Sequence, residues 1–295
     1  MAAPDLSAVA SIGEAWLAVR TAFRAAGLDT ADLDARLLVT GLTDLEPHQL
    51  ATRGEATLGE EQKRRLAQAA AERIGGRPVH RILGAREFFG LRLGLSPATL
   101  EPRPDTETLV DAVLPFARAR IEQTGRCRIA DLGIGTGAIG LALLAQCPQA
   151  ECLGVDISDE AVATARANAQ ELGLGSRYRA IAGDWLAGIE DCFDLIVSNP
   201  PYIPSGDLAS LSREVVEHDP RLALDGGDDG LDAYRAIARQ APERMAVGGV
   251  LALEIGIGQT AEVTDLCRAA GFERTAVHAD LGGLERVLEF ALPGV

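Results

Sequence analysis

The sequence predicts an α/β protein, a mostly parallel sheet covered by helices on both faces and preceded by a small helical module with a connecting hairpin. Three observations carry this. Apolar residues recur at helical spacing through the first 80 positions. From residue 105 onward, short apolar runs alternate with helix-like stretches, the order that makes consecutive strands parallel. Between them, residues 85–104 collect turn signals and prolines. We divide the chain accordingly into a helical domain at 1–84, a hairpin connector at 85–104 and a larger domain at 105–295.

In the first part, Val9, Ile12, Trp16, Val19 and Phe23 share one helical face, as do Leu33, Leu37 and Leu38, with Gly27 and Gly41 placed as stops. Thr57-Leu58-Gly59-Glu60 matches a capping box ahead of Leu66, Ala69, Ala70 and Ile74. Gly75-Gly76 ends that helix. A helical module of this size reads as a docking or lid element rather than a catalytic one. The segment 87–95 then alternates around Gly90 as a short hairpin does, and Pro97, Pro102 and Pro104 follow it.

Candidate strands in the large domain are 128–132, 151–157, 178–182, 194–198 and 249–255, separated by helix-like stretches such as 161–172 and 233–245. Two more, 275–279 and 286–290, complete seven strands, the last short enough to be an antiparallel edge.

Composition narrows the function classes. No run approaches the roughly 18 apolar residues of a membrane helix, and the N-terminus lacks the basic-then-apolar order of a secretory signal. The sequence thus reads as soluble and cytoplasmic, without a membrane partner. The five cysteines are scattered, with no Cys-x-x-Cys pair and no histidine at ligand spacing, so they read as buried reduced thiols and no metal site is expected. Residues 1–104 carry 13 Lys and Arg against 13 Asp and Glu, and residues 105–295 carry 15 against 30. The whole net charge of −15 therefore sits in the larger part, which disfavours direct binding of nucleic acid.

The first chemistry-bearing motif is the strand-to-helix run Asp131-Leu132-Gly133-Ile134-Gly135-Thr136-Gly137. Three glycines at alternate positions let the backbone turn sharply and approach a nucleoside at the strand's carboxyl end. A dinucleotide loop has Gly-x-Gly-x-x-Gly spacing, and here the third glycine comes one position early. Asp131 is an odd neighbour for a pyrophosphate. It suits the cationic amino-acid group that S-adenosylmethionine carries and nicotinamide cofactors lack. Asp156 follows about 20 residues later at the end of the next strand, where a carboxylate accepts hydrogen bonds from both ribose hydroxyls, unless it merely caps a helix. One strand further, Asp184 and Trp185 would put a carboxylate and an aromatic face beside an adenine. The cofactor residues are then Gly133, Ile134, Gly135, Thr136, Gly137, Asp156, Asp184 and Trp185, the cofactor S-adenosylmethionine and its product S-adenosylhomocysteine.

The second motif, Asn199-Pro200-Pro201-Tyr202, ends an apolar strand on the same edge. Its prolines restrict the backbone and donate no hydrogen bonds, leaving the Asn199 and Pro200 carbonyls free as acceptors. An amide or aromatic amine has its lone pair delocalised and attacks a sulfonium methyl poorly. The Asn199 side-chain oxygen and the Pro200 carbonyl can take its two N–H groups and favour a pyramidal nitrogen, while Tyr202 supplies a flat wall. Asn199, Pro200 and Tyr202 are thus the catalytic candidates, with Pro201 completing the substrate site. Adenine N6 and a glutamine side chain fit this chemistry equally.

Together with these motifs, Arg86-Glu87-Phe88-Phe89-Gly90, the stretch from Ser96 to Glu107 and the stretch from Glu217 to Gly227 resemble the bacterial peptide-chain release-factor glutamine methyltransferases. The resemblance covers nearly the whole chain from about residue 75. It implies a Rossmann-like, seven-stranded class I methyltransferase sheet with a small N-terminal recognition domain. It also implies methyl transfer to the side-chain amide nitrogen (N5) of the glutamine in the Gly-Gly-Gln loop of release factors. By motif position, 133–137, Asp156, Trp185 and Asn199 would contact the cofactor, and 199–202 the glutamine. A sister group that modifies a ribosomal protein differs after Pro102-Arg103, and Ile134 stands where many relatives carry a small or hydroxyl residue. Release factors as partners agree with an acidic catalytic half, since proteins that work on the ribosome need basic surfaces.

Overall fold

The computed structural model describes residues 4–43, 45 and 47–294. They gather into two compact units, Met1–Ala85 and Arg86–Val295.

The first unit is helical: Ile12–Ala25, Ala31–Thr43 and Glu60–Ile74, with short turns Leu50–Arg53 and Val79–Leu83. Phe23, Leu38 and Leu66 are fully buried at its centre. Ser11 and Glu14 cap the first helix reciprocally, each side chain accepting the other's backbone N–H. Two expectations need correction. Thr57 is not a cap; it pairs with Ser11 in an extended bridge, and the helix starts at Glu60 with the Gly59 N–H donating to Gln62 Oε1 at 3.0 Å. Gly41 does not stop a helix but lies within Ala31–Thr43, where a Cβ would come 2.8 Å from the Leu83 side chain, so its smallness lets Val79–Leu83 pack close. A buried ion pair, Arg73 Nε to Asp34 Oδ2 at 2.7 Å, joins the second and third long helices.

The second unit opens with a hairpin, β1 (Ala85–Phe88) and β2 (Leu91–Gly94). Its turn residues Phe89 and Gly90 both have positive φ, 51° and 74°, as a type I′ turn requires. The hairpin is fastened to the sheet unit rather than free: Asn168 accepts the Gly94 N–H and donates to the Gly94 carbonyl, and Glu107 accepts the Phe89 N–H.

The sheet comprises β3 (Cys127–Leu132), β4 (Ala150–Asp156), β5 (Tyr178–Ala182), β6 (Phe193–Ser198), β7 (Met245–Glu254), β8 (Glu273–Ala279) and β9 (Glu285–Ala291) in the order β5-β4-β3-β6-β7-β9-β8. β3 to β7 are mutually parallel, and β9 runs antiparallel to both its neighbours. The last strand is therefore interior, not an edge. Its Val287, Leu288 and Phe290 are fully buried, whereas β8 is largely exposed and takes the edge. Helices Glu107–Thr124, Ala138–Gln146 and Asp159–Glu171 contribute to one apolar cluster, and Asp232–Gln240 and Thr260–Ala269 to the other. The helix expected to reach residue 245 ends at Gln240, because a 3-10 turn containing Pro242 leads directly into β7.

Four of the five thiols are buried and Cys192 is partly exposed; burial pushes Cys127 and Cys267 up to about 12. Among the described residues no helix is long and apolar enough to cross a membrane.

Candidate active site

The two motifs meet because β3 and β6 are neighbours in register. Leu132 pairs with Ser198, so Gly133 and Asn199 leave the sheet side by side. The Ser198 hydroxyl donates to the Leu132 carbonyl at 2.7 Å and locks the two strand ends together. The chain winds outward from β3 in both directions, and a crevice opens at such a reversal, outside the carboxyl ends of the strands. A cleft of about 320 Å³ lies there.

Gly133, Gly135 and Gly137 adopt φ of 71°, 52° and 83°, conformations that side chains resist. The loop is anchored through its own amides: Gly133 N–H donates to the Val155 carbonyl at 2.8 Å and Gly135 N–H to Asp156 Oδ2 at 2.9 Å. The other Asp156 oxygen accepts the Ser158 N–H at 2.9 Å. Trp185 has φ of +54°, an unfavourable backbone for a bulky residue that costs about 1–3 kcal/mol. Its ring edge sits where a Cβ on Gly133 would come within 3.5 Å. Beside Asp156, Ile157 is a large apolar residue left 63% exposed in the cleft wall, a wall residue that no sequence motif singled out.

Of the residues singled out from sequence, Gly133, Ile134, Gly135, Thr136, Asp156, Asp184, Trp185, Asn199 and Pro201 line the cleft. Gly137, Pro200 and Tyr202 are not in its wall. Gly137 sits behind the loop, where a Cβ would meet Tyr178 Oη at 2.9 Å; Pro200 is buried; the Tyr202 ring packs on the Tyr234 side of the core. Burial, then the nearby Glu254 charge, raises the Tyr202 phenol, which stays neutral. Ile134 is buried and its side chain packs against Gly154, so it offers the cleft little beyond backbone.

Asp131 departs from the expectation of a partner for a cationic ligand. It is 1% exposed and outside the cleft wall, with Oδ2 accepting the Gly140 N–H at 2.9 Å, behind the loop at the start of helix Ala138–Gln146. Burial raises its carboxyl to about 7, and the charge on Asp156 adds to this. A carboxyl raised in the folded state stabilises the fold fully below its ordinary value of 3.8 and loses that contribution as pH rises toward about 7. Asp131→Asn removes the titration. Its melting temperature relative to wild type should therefore rise by several degrees between roughly pH 5 and pH 8. A difference that stays constant across that range would contradict the assignment.

Behind the tetrapeptide stand residues that sequence reasoning missed. Asn199 Nδ2 donates to Thr106 Oγ1 at 3.0 Å, and Glu254, 2% exposed at the end of β7, has its carboxyl raised to about 7, chiefly by burial. Gln259 Nε2 donates to the Tyr202 carbonyl at 3.1 Å while its Oε1 accepts the Gly256 N–H. Gly230 lies so close that a Cβ there would be 2.4 Å from the Tyr202 carbonyl oxygen. Glu254 had a sequence signal, a lone acid ending the apolar run of β7.

Residues 116–228 match the family model described as the methyltransferase small domain, and residues 14–84 the one described as the PrmC N-terminal domain. The chain is 49% identical over 280 residues to the release factor glutamine methyltransferase of Bradyrhizobium diazoefficiens, with 94% of each covered. It is 44% identical to that of Agrobacterium fabrum, covering 95% of this chain and 97% of the relative. Among solved structures, the hMettl16 catalytic domain in complex with a 3′UTR hairpin shares the fold at a TM-score of 0.55 and 16% identity, covering 79% of this chain and 84% of that one. With identity of this order across nearly its whole length, the chain belongs to the release factor glutamine methyltransferase family.

Proposed function

We propose that this enzyme transfers a methyl group from S-adenosylmethionine to the side-chain amide nitrogen of the glutamine in the Gly-Gly-Gln loop of peptide-chain release factors, leaving S-adenosylhomocysteine. The observation that carries the reading is the registered pairing of the glycine loop with Asn199-Pro200-Pro201-Tyr202 on adjacent strands.

The cleft residues fit the cofactor. Each Asp156 oxygen has accepted one backbone N–H and keeps a further lone pair for a ribose hydroxyl. Ile157 and Trp185 offer apolar faces for an adenine, and Asp184 an acceptor for its amine. Gly133, Ile134, Gly135 and Thr136 present backbone to the amino-acid portion, and Gly137 supports the turn from behind. The bound cofactor supplies a methyl group made electrophilic by a sulfonium.

The protein's part is to hold the nitrogen. Asn199 Oδ1 and the Pro200 carbonyl accept the two amide N–H groups, orienting the nitrogen and drawing it toward the pyramidal geometry in which its lone pair is available. Pro201 narrows the cleft, and Tyr202 holds the tetrapeptide's outer end against the core. No side-chain nucleophile is required, because the methylated amide sheds its extra proton at once.

The acidic second unit complements the basic surface of a release factor, and we assign the N-terminal unit to gripping that protein in the cytoplasm. Deleting residues 1–84 should cripple methylation of intact release factor while S-adenosylmethionine binding, followed by calorimetry, persists; equal loss of both would sink that role. The function itself is tested by incubating the enzyme and radiolabelled S-adenosylmethionine with purified release factors, ribosomal proteins and RNA. Label should enter release factors and vanish when the glycine-flanked glutamine is replaced. Label in RNA or in a ribosomal protein instead would overturn the substrate.

A further inference from the structure

We infer that Arg103 receives the α-carboxylate of S-adenosylmethionine, so that the amino-acid end of the cofactor lies between the glycine loop and the segment 98–106. This deepens the cofactor reading given above and rests on it.

The cofactor brings a sulfonium, an α-ammonium and an α-carboxylate to the cleft. The two cations suit a wall whose described residues include five carboxylates, Glu101, Asp156, Asp184, Asp225 and Asp232. The carboxylate does not, and is repelled there unless a cation receives it. Arg103 is the one cationic side chain among the described residues of that wall. The other acids at the rim already have cationic partners: Glu101 pairs with Arg86, Asp225 with Arg221 at 3.0 Å and Asp232 with Arg235 at 3.0 Å. Arg103 is exposed, and among the described residues its guanidinium has neither a hydrogen bond nor an ion pair. Its charge is felt at the buried Glu254 carboxyl and the Tyr202 phenol, but it is paired with neither.

The cation stands where the amino-acid end has to go. A Cβ on Gly135 would come 4.0 Å from the Leu100 amide nitrogen, so the segment that carries Arg103 crosses directly against the glycine loop. Further along, Thr106 lines the same cleft and accepts the Asn199 side-chain N–H at 3.0 Å. Arg103 thus falls, along the chain, between a contact with the glycine loop and a contact with the acceptor motif, and the methyl donor must reach both. Its backbone is set by the following proline, which disfavours the helical region: φ is −93° and ψ 142°, and the Arg103 carbonyl accepts the Thr106 N–H at 3.1 Å. The helical run that starts at Pro104 and continues as Glu107–Thr124 has its partially positive N-terminal end at this corner, where Thr106 stands in the wall. Helix end and guanidinium favour the same ligand charge, and the planar arginine fork matches the two oxygens of a carboxylate.

The test is calorimetric binding to the full-length enzyme with two probes, S-adenosylhomocysteine and its decarboxylated analogue, which differ only in the carboxylate. Wild type should bind the analogue about 10- to 100-fold more weakly, as loss of a charge-assisted pair requires. Arg103→Gln should lose about that factor for S-adenosylhomocysteine and bind the two probes within about three-fold of each other, because residue and carboxylate act on one another. Arg103→Lys keeps the charge without the fork and should recover part of the affinity. With release factor, Arg103→Gln should raise KM for S-adenosylmethionine and leave kcat at saturation within about three-fold of wild type. Equal weakening of both probes in Arg103→Gln would reduce Arg103 to shaping the cleft, and equal affinities for them in wild type would deny the carboxylate any partner; either overturns the inference. So does an unchanged affinity for S-adenosylhomocysteine in Arg103→Gln with a raised KM for release factor, which would assign the cation to the protein substrate. The wild-type comparison decides even where a variant does not fold, and the binding arms hold whichever acceptor is methylated. Failure of wild type to bind S-adenosylhomocysteine at all would overturn the cofactor reading itself, and this inference with it.

Discussion

Asn199→Ala is expected to lower kcat for glutamine methylation by about 10²- to 10³-fold, the usual effect of deleting one preorganised group that meets developing charge. The Pro200 carbonyl survives the change, since a proline backbone and a buried ring hold it, so one of two acceptors remains. A single acceptor leaves the nitrogen free to turn about the remaining N–H bond, and the lone pair is no longer aimed at the methyl group. Asp156→Ala makes the contrasting variant. Its two oxygens fasten Gly135 and Ser158, so its loss should weaken S-adenosylmethionine binding by more than about ten-fold, with a smaller effect on kcat at saturation. Steady-state kinetics in both substrates, with calorimetry for the cofactor, distinguish the two. Equal loss of cofactor affinity in both variants would mean that Asn199 serves the cofactor rather than the acceptor.

Gly230→Ala should be nearly as damaging although residue 230 is outside the cleft wall. Its φ is +76°, and the added Cβ would stand 2.4 Å from the Tyr202 carbonyl oxygen and 3.0 Å from Gln259 Nε2. Backbone must move, and the backbone in question is the tetrapeptide itself, which Gln259 clamps from the same side. A displacement of about 1 Å at a reacting group can remove 10²-fold in rate, so a loss of at least about that size is expected, with cofactor affinity largely preserved. Gly206→Ala in the same loop is the control, because nothing lies within 4 Å of its Cβ and its rate should match wild type. Comparable rates in the two variants would show that the segment from 226 to 230 does not brace the tetrapeptide.

Much of the second unit was legible because parallel strands buried on both faces read as apolar runs, and β3, β4, β6 and β7 each left one, whereas β5, at the sheet edge, left only a short alternating stretch. The hairpin was legible for a different reason, its glycine turn. What misled was local grammar whose residues had long-range work. Thr57 matches a cap by spacing but pairs with Ser11, and Gly41 looks like a terminator but makes room for Leu83. The interior place of β9 follows from pairing with β7, which no local pattern encodes.

The same division holds at the site. Motifs contiguous in sequence arrived as expected on one strand edge. The support behind them did not, because Thr106 and Asn199 are 93 positions apart and Tyr202 and Gln259 are 57. Asp131 shows the limit from the other side. Its residue type suited a cationic ligand, but the strand carries its side chain behind the loop, where Gly140 takes one oxygen.

The central claim, that the 199–202 segment presents a protein glutamine nitrogen to the methyl donor, is tested most directly by locating the methyl group. Release factor incubated with enzyme and S-adenosylmethionine bearing a trideuterated methyl should, by tandem mass spectrometry, carry one trideuteromethyl group on the side-chain amide of the glutamine between the two glycines and the following residue. The Asn199→Ala enzyme should leave that peptide unmodified on the same timescale. A methyl group found on any other residue, or on that glutamine at an undiminished rate with Asn199→Ala, would contradict the account.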